Sequence, residues 1–279
     1  MRFNLWWIVL FTLCSCADDP PVIRNLSGNT IAVIGHRGCG PRSASNPIPE
    51  NTLASVQKAL ELYGAAGVEL DVQMSKDGVF FLYHDDYLES QTNFSGCVSQ
   101  YTAQELSTCR YRNTDVQLQP LHEIFSYCRQ LDYQPYIMLD NKLDLPCNIS
   151  TFEQYNEYMQ LYAERMYAMI KAFGLFNQVH LESDFEVFHS SLRQRDSQVK
   201  LMFNGPVADR IGLAYSLQCT GIMSGLNSCT AEDIQRAHAK GLKVSLFGIV
   251  TAQDAENAIR KSPDFIITDD IPLTQDLLN

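Results

Sequence analysis

The stretch GVELDVQMSKDGVFFLYHDD, residues 67–86, decides how the rest of the chain is counted. It holds two apolar runs, 68–73 and 79–84, with only Met74, Ser75, Lys76, Asp77 and Gly78 between them. A crossover between parallel strands needs about a dozen residues or more. The two runs therefore cannot be parallel neighbours. Asp77-Gly78 is turn chemistry, so the segment reads as a strand, a turn and a returning antiparallel strand.

Seven further apolar runs lie at 31–36, 136–141, 178–182, 199–203, 221–224, 244–248 and 265–268. They are rich in Val, Ile, Leu and Phe, as buried parallel strands are. Helical patterns separate most of them. Leu53, Val56, Leu60 and Tyr63 share one face and Gly64 ends it. Ser150 with Glu153, Thr230 with Asp233 and Thr251 with Asp254 have capping-box spacing. With the returning strand set aside, eight strands alternate with helices, which predicts an α/β fold of the closed TIM (β/α)8 type. A doubly wound open sheet is the alternative, but no Gly-rich phosphate loop follows the first run. Residues 85–118 break the rhythm with polar residues, two cysteines and scattered aromatics, and predict a small inserted subdomain above one end of the barrel.

The chain of 279 residues is 46% hydrophobic and 19% charged, enough for a sizeable core and unlike a disordered chain. A net charge of −11 with no Lys/Arg-rich run argues against a nucleic-acid partner.

Polar residues collect where these runs end. Glu69 and Asp71 are two apart, so strand parity puts both carboxylates on one face and Val68, Leu70 and Val72 on the other. Adjacent like charges on a buried strand call for a cation between them. Asp140 and Lys142 repeat the spacing at the end of another run. Three carboxylates without a cysteine point to a hard divalent cation, Mg²⁺ or Ca²⁺. Lys142 reads either as a salt-bridge partner of these acids or as a lysine placed between metal and phosphate. His36 and His84 each terminate an apolar run, at the end of the strands where barrel enzymes keep their chemistry. His122, His180, His189 and His238 lack such company and read as structural or solvated.

Taken in order, His36-Arg37-Gly38, Pro49-Glu50-Asn51-Thr52, "ELDVQMSKDG", "YHDD" and "LDNK" resemble the glycerophosphodiester phosphodiesterase family. "LQPLHEIF", Ser183 after a strand and "DFIITDD" extend the resemblance, which covers roughly residues 31 to 272. It implies a metal-dependent TIM barrel with an insertion after the His-Asp motif. The implied reaction is hydrolysis of a small-molecule glycerophosphodiester to glycerol 3-phosphate and an alcohol. It further implies Glu69, Asp71 and Asp140 as metal ligands and His36 and His84 as the acid/base pair in either order. Arg37 would be the phosphate-binding guanidinium and Lys142 a contact on the substrate side of the metal. Glu50 is expected beside the first histidine as an orienting group in the substrate-binding set. Phe247-Gly248 stands where relatives commonly have Trp-Thr, which makes Phe247 part of the pocket wall. Asp140 replaces a more common Glu and is one methylene shorter. The same barrel also suits a lysophospholipid or phosphoinositide substrate, and a non-catalytic phospholigand-binding lipoprotein is a third reading.

The N-terminus reads as a targeting segment. Arg2 precedes the apolar run LWWIVLFTL, 5–13, which is too short to span a bilayer. Leu13-Cys14-Ser15-Cys16 resembles the lipobox of bacterial lipoproteins. The resemblance implies a signal peptide over 1–15, a lipid on Cys16, a tether over 16–29, the enzyme over 30–279, and export to the membrane of a bacterial envelope. Seven cysteines follow Cys16, the nearest pairs being Cys97 with Cys109 and Cys219 with Cys229. Export makes disulfides plausible, spacing does not show the pairing, and an odd number leaves at least one thiol free.

Overall fold

The computed structural model describes residues 23–143, 146, 147 and 149–279. The expected signal peptide, the expected lipidation site Cys16 and the first part of the expected tether lie outside the described residues. The strands are β1 (Ala32–Gly35), β2 (Gly67–Met74), β3 (Phe80–Leu82), β4 (Gln119–Pro120), β5 (Tyr136–Asn141), β6 (Val179–Ser183), β7 (Lys200–Asn204), β8 (Gly221–Gly225), β9 (Lys243–Ile249) and β10 (Phe265–Thr268). β3 returns antiparallel to β2, with Val72 opposite Leu82, and β4 adds antiparallel to β3. The other eight strands are parallel, and β1 pairs with both β10 and β2. The sheet therefore closes into a (β/α)8 barrel, as the strand count requires. β4, only two residues long, has no apolar run to announce it.

Strand parity sorts the side chains as expected. Val68, Leu70 and Val72 of β2 join Ile137, Leu139 and Leu181 in the belt between strands and helices. Ile34, Met138, Met223, Phe265 and Ile267 fill the barrel interior, with Tyr136 packed against them. Helix starts follow the capping chemistry: Thr230 and Thr251 form complete capping boxes with Asp233 and Asp254. The box placed on Ser150 is off by one residue. Thr151 is the N-cap of the helix Phe152–Phe173 and accepts from the Gln154 backbone N–H, while Ser150 donates to the Gln154 side chain.

Between β3 and β4 the chain packs around its own apolar cluster, which includes Phe81, Tyr83, Leu88, Leu106 and Tyr111. Tyr111 ties this insertion to the barrel by donating its hydroxyl to the Glu50 carbonyl at 3.1 Å. A disulfide joins Cys97 of the insertion to Cys147, beyond β5, with 5.9 Å between Cα atoms. Neither nearest-neighbour pair forms, and Cys109, Cys219 and Cys229 are buried free thiols. The bridge spans 50 residues, and the chain-entropy account values a loop of that size at about 4 kcal/mol.

The tether expected over 16–29 is not free at its described end. Asn25 is buried and donates to Asp264 at 2.8 Å, just ahead of β10. That holds this segment against the N-terminal end of the barrel. No helix among the described residues is long and apolar enough to cross a membrane.

Two of the histidines without catalytic company are buried structural groups. His180 packs between Tyr136 and Phe265 inside the barrel, and burial, opposed by the Gln178 carbonyl, pushes its pKa down to about 3. His189 stacks on Phe203, and burial pushes it down to about 4 against its bond to the Ser183 carbonyl. Both stay neutral when folded, whereas the unfolded chain protonates them below a pH of about 6.5. Their contribution is therefore complete above that pH and is lost as pH falls, by about 1.4 kcal/mol per pH unit for each histidine. Chemical unfolding at pH 7, 6 and 5 is expected to show this decline. His180→Gln and His189→Gln should each remove one histidine's share of the slope. An unchanged slope in both would rule these residues out as its source.

Candidate active site at the barrel mouth

The turn after β1 is built by its glycines and by strain. A Cβ on Gly35 would fall 1.9 Å from the Gly38 carbonyl oxygen, so only glycine permits the turn. Arg37 sits at φ 51°, a region costly for a residue with a side chain. That conformation directs its backbone N–H at Glu69 Oε2, 3.0 Å away. The Asn51 N–H and the Ser55 hydroxyl both donate to the Arg37 carbonyl, each at 2.9 Å, and hold the turn from behind.

Glu69, Asp71 and Asp140 converge as their strand parity predicts. Asp71 and Asp140 are register partners in the β2–β5 ladder. The three acids offer ligand atoms within 4.8 Å of one another, the group among the described residues with metal-binding spacing. Glu69 and Asp71 are almost wholly buried, and the Asp140 side chain is 20% exposed. Lys142 Nζ lies 2.6 Å from Asp140 Oδ2 and 3.1 Å from Asp71 Oδ1, so it bridges two of the three. Arg37 stands 3.4 Å from Asp71 and bonds Glu50 at 2.7 Å.

Glu50 departs from its expected place. It accepts from the Arg37 guanidinium, the Arg42 backbone and the Gln91 side chain, and so steers Arg37 and not His36. The nearest permanent positive charge takes the buried carboxylate. Phe247 stands 36% exposed on β9, three strands round the barrel from β2, at the rim of the mouth.

The histidines have partners that the sequence reading did not name. His36 Nδ1 lies 2.5 Å from Asp269 Oδ1, beyond the end of β10, and its Nε2 is 3.9 Å from Glu69. His84 Nδ1 lies 2.7 Å from Asp85 Oδ1. A carboxylate on Nδ1 fixes the ring and leaves Nε2 for chemistry. Asn51 was also missed: it donates to Asp71 Oδ2 at 2.8 Å and accepts the Asp71 N–H at 3.0 Å. The available signals were an Asp after the last apolar run, an Asp after His84, and the Asn of Pro49-Glu50-Asn51-Thr52.

The electrostatics are those of crowded buried acids. Burial and then Asp71 raise the Glu69 carboxyl far above the ordinary range. Burial would raise Asp71 too, but Lys142, His84 and Arg37 overcome it and hold Asp71 low. Asp140 is raised, chiefly by burial, against the pull of Lys142. For His36, burial is the largest influence and lowers the pKa; the bond to Asp269 and the charges of Glu69 and Asp269 outweigh it and leave the net shift upward. Hard oxygen donors that repel one another in this way suit a divalent cation. Beside the acids a cavity of about 280 Å³ is lined by Asp140, Lys142, Ser183, Asn204 and Arg210. A larger cavity of about 730 Å³ lies at the opposite end of the barrel, around Lys243 and Asp264, and touches none of the acids.

Cleaving a phosphate diester calls for a grip on the phosphate, relief of its growing charge and two proton carriers. The mouth of this α/β barrel collects side chains suited to each need, the arrangement expected of a phosphodiesterase. The Glycerophosphoryl diester phosphodiesterase family model matches residues 36–273, and the chain belongs to that family. A glycerophosphodiester phosphodiesterase of Caldanaerobacter subterraneus subsp. tengcongensis is 25% identical over 249 residues, 85% of this chain and 93% of its own. The fold is shared with a putative glycerophosphoryl diester phosphodiesterase from Silicibacter pomeroyi, at a TM-score of 0.76 and 20% identity, over 89% of this chain and 92% of that one. An Oleispira antarctica phosphodiesterase, solved in complex with the product sn-glycerol-3-phosphate, superposes with a TM-score of 0.72 at 21% identity, over 88% and 96% of the two chains.

Proposed function

We propose that this enzyme hydrolyses small glycerophosphodiesters to glycerol 3-phosphate and an alcohol, with His36 and His84 as proton carriers and one Mg²⁺ or Ca²⁺ held by Glu69, Asp71 and Asp140. The observation that carries the reading is the meeting of these three acids within 4.8 Å, with one carboxylate-held histidine beside Glu69 and another directly after Tyr83, whose N–H donates to the Asp71 carbonyl at 3.1 Å.

The bound cation would neutralise charge on the phosphate oxygens and polarise phosphorus. Arg37, fixed by Glu50, grips the phosphate with its remaining N–H groups. Asp269 and Asp85 hold the two imidazoles with Nε2 free. One ring takes the proton of the attacking oxygen and the other delivers a proton to the leaving oxygen. Lys142 steadies Asp71 and Asp140 against their mutual repulsion. The cavity lined by Ser183, Asn204 and Arg210 gives one half of the diester a polar recess.

A lysophospholipid substrate would call for an apolar rim on the insertion. Phe94 and Tyr101 instead pack edge to face, 5.2 Å apart, against the insertion's own core. Tyr87 is the large apolar side chain that the insertion leaves exposed among the described residues. This favours a polar alcohol. Release of glycerol 3-phosphate is expected from glycerophosphocholine and glycerophosphoethanolamine, and little turnover from lysophosphatidylcholine. A preference for the lysolipid would reverse the assignment.

A further inference from the structure

β6 brings a fourth carboxylate into the barrel. Val179 and Leu181 lie in the outer belt, while His180 packs on Tyr136 and Phe265 inside. Glu182 shares the parity of His180, so it points inward. It stands beside Asp140 in the β5–β6 ladder. It is 0% exposed, and neither carboxylate oxygen has a hydrogen-bond partner.

Burying an unpaired carboxylate costs several kcal/mol, and Glu69, Asp71 and Asp140 nearby increase that cost. Packing does not require an acid here. On β7 the register partner of Glu182 is Met202, a fully buried apolar side chain.

The other three acids are already engaged. Asp71 is held by Asn51, Lys142 and Arg37, Asp140 by Lys142, and Glu69 by the Arg37 N–H. A hard divalent cation takes about six or more oxygen ligands. Glu182 has the two carboxylate oxygens that nothing in the fold uses.

We propose that Glu182 is a fourth carboxylate of the cation site, recruited when the ion binds and setting its affinity. The inference rests on the cation reading of the site. Glu182 lies outside the set of ligand atoms within 4.8 Å of one another. It would reach the ion by turning its side chain or through a bridging water, and in both cases its charge would supply most of the affinity. Glu182→Gln keeps the shape and removes that charge.

The test is calorimetric titration of the metal-free protein with Mg²⁺ and with Ca²⁺, on wild type, Asp71→Asn and Glu182→Gln. Wild type is expected to bind one ion, Asp71→Asn to lose binding, and Glu182→Gln to bind about tenfold more weakly or worse, the size seen when a residue supporting a metal site is lost. The metal-free Glu182→Gln protein should melt no lower than metal-free wild type, because a partnerless carboxyl crowded by three other acids is replaced by a neutral amide of the same shape. Should that variant not fold, Glu182→Met, which repeats the side chain of its β7 neighbour, takes its place in the same titration. An affinity less than tenfold below wild type in the folded variant overturns the proposal alone. Absence of binding by wild type overturns the cation reading, and the proposal with it.

Discussion

Removing divalent cations is expected to stop hydrolysis of glycerophosphocholine, and adding back Mg²⁺ or Ca²⁺ to restore it. Without the ion, the mouth presents the phosphate with Glu69, Asp71, Asp140 and Glu182, four acids whose pKa values burial and neighbours push in different directions. An anionic substrate is repelled by whatever charge they keep. Charge stabilisation by a catalytic ion is worth several kcal/mol, and each 1.36 kcal/mol is a factor of ten in rate, so the loss should be about 10³-fold or more. Asp71→Asn should give a similar loss without chelator, since Asp71 is the acid that Arg37, Lys142 and His84 keep charged. Glycerol 3-phosphate release, followed with and without chelator, is the measurement. Full turnover in chelator would remove the cation from the mechanism.

Truncating either imidazole is the second large effect. His36→Ala and His84→Ala should each lower kcat by about 10²–10⁴-fold, the usual range for a general acid or base. KM should change little, because Arg37 and the recess beside Asp140 remain. Asp269→Asn provides a graded control: it keeps the His36 ring but replaces the carboxylate on Nδ1, and should cost less than His36→Ala. Its pH profile should also move. Asp269 helps to raise the His36 pKa, so the limb assigned to that ring should shift toward lower pH. Undiminished activity in both alanine variants would end the acid/base assignment.

Much of the site was legible because strand parity is a local property. Alternation in "GVELDVQ" is enough to put Glu69 and Asp71 on one face, and the turn at Asp77-Gly78 is enough to exclude a parallel crossover. His36, His84, Asp140 and Lys142 were visible as polar residues ending apolar runs. Glu182 was harder to see. It too ends a run, with Asp184 two residues on, but β6 stops at Ser183 and Asp184 is exposed, and nothing local marks the Glu182 side chain as buried and unpartnered. Glu50 was seen but given to the wrong neighbour, since proximity in sequence to His36-Arg37 does not say which of the two it serves.

By itself, the sequence determined the eight parallel strands, the returning β3, the turn between β2 and β3, two helix caps and the facing of the residues on β2, all set within a few residues by turn chemistry, capping and side-chain period. Only the tertiary structure decided the partners. Closure of β1 against β10 brings Asp269 to His36 across 233 positions, the β5–β6 ladder sets Glu182 beside Asp140, and the chain beyond β5 carries Cys147 to Cys97. These contacts depend on register and barrel closure, which arise from packing the whole chain at once. A short window of residues carries no record of them.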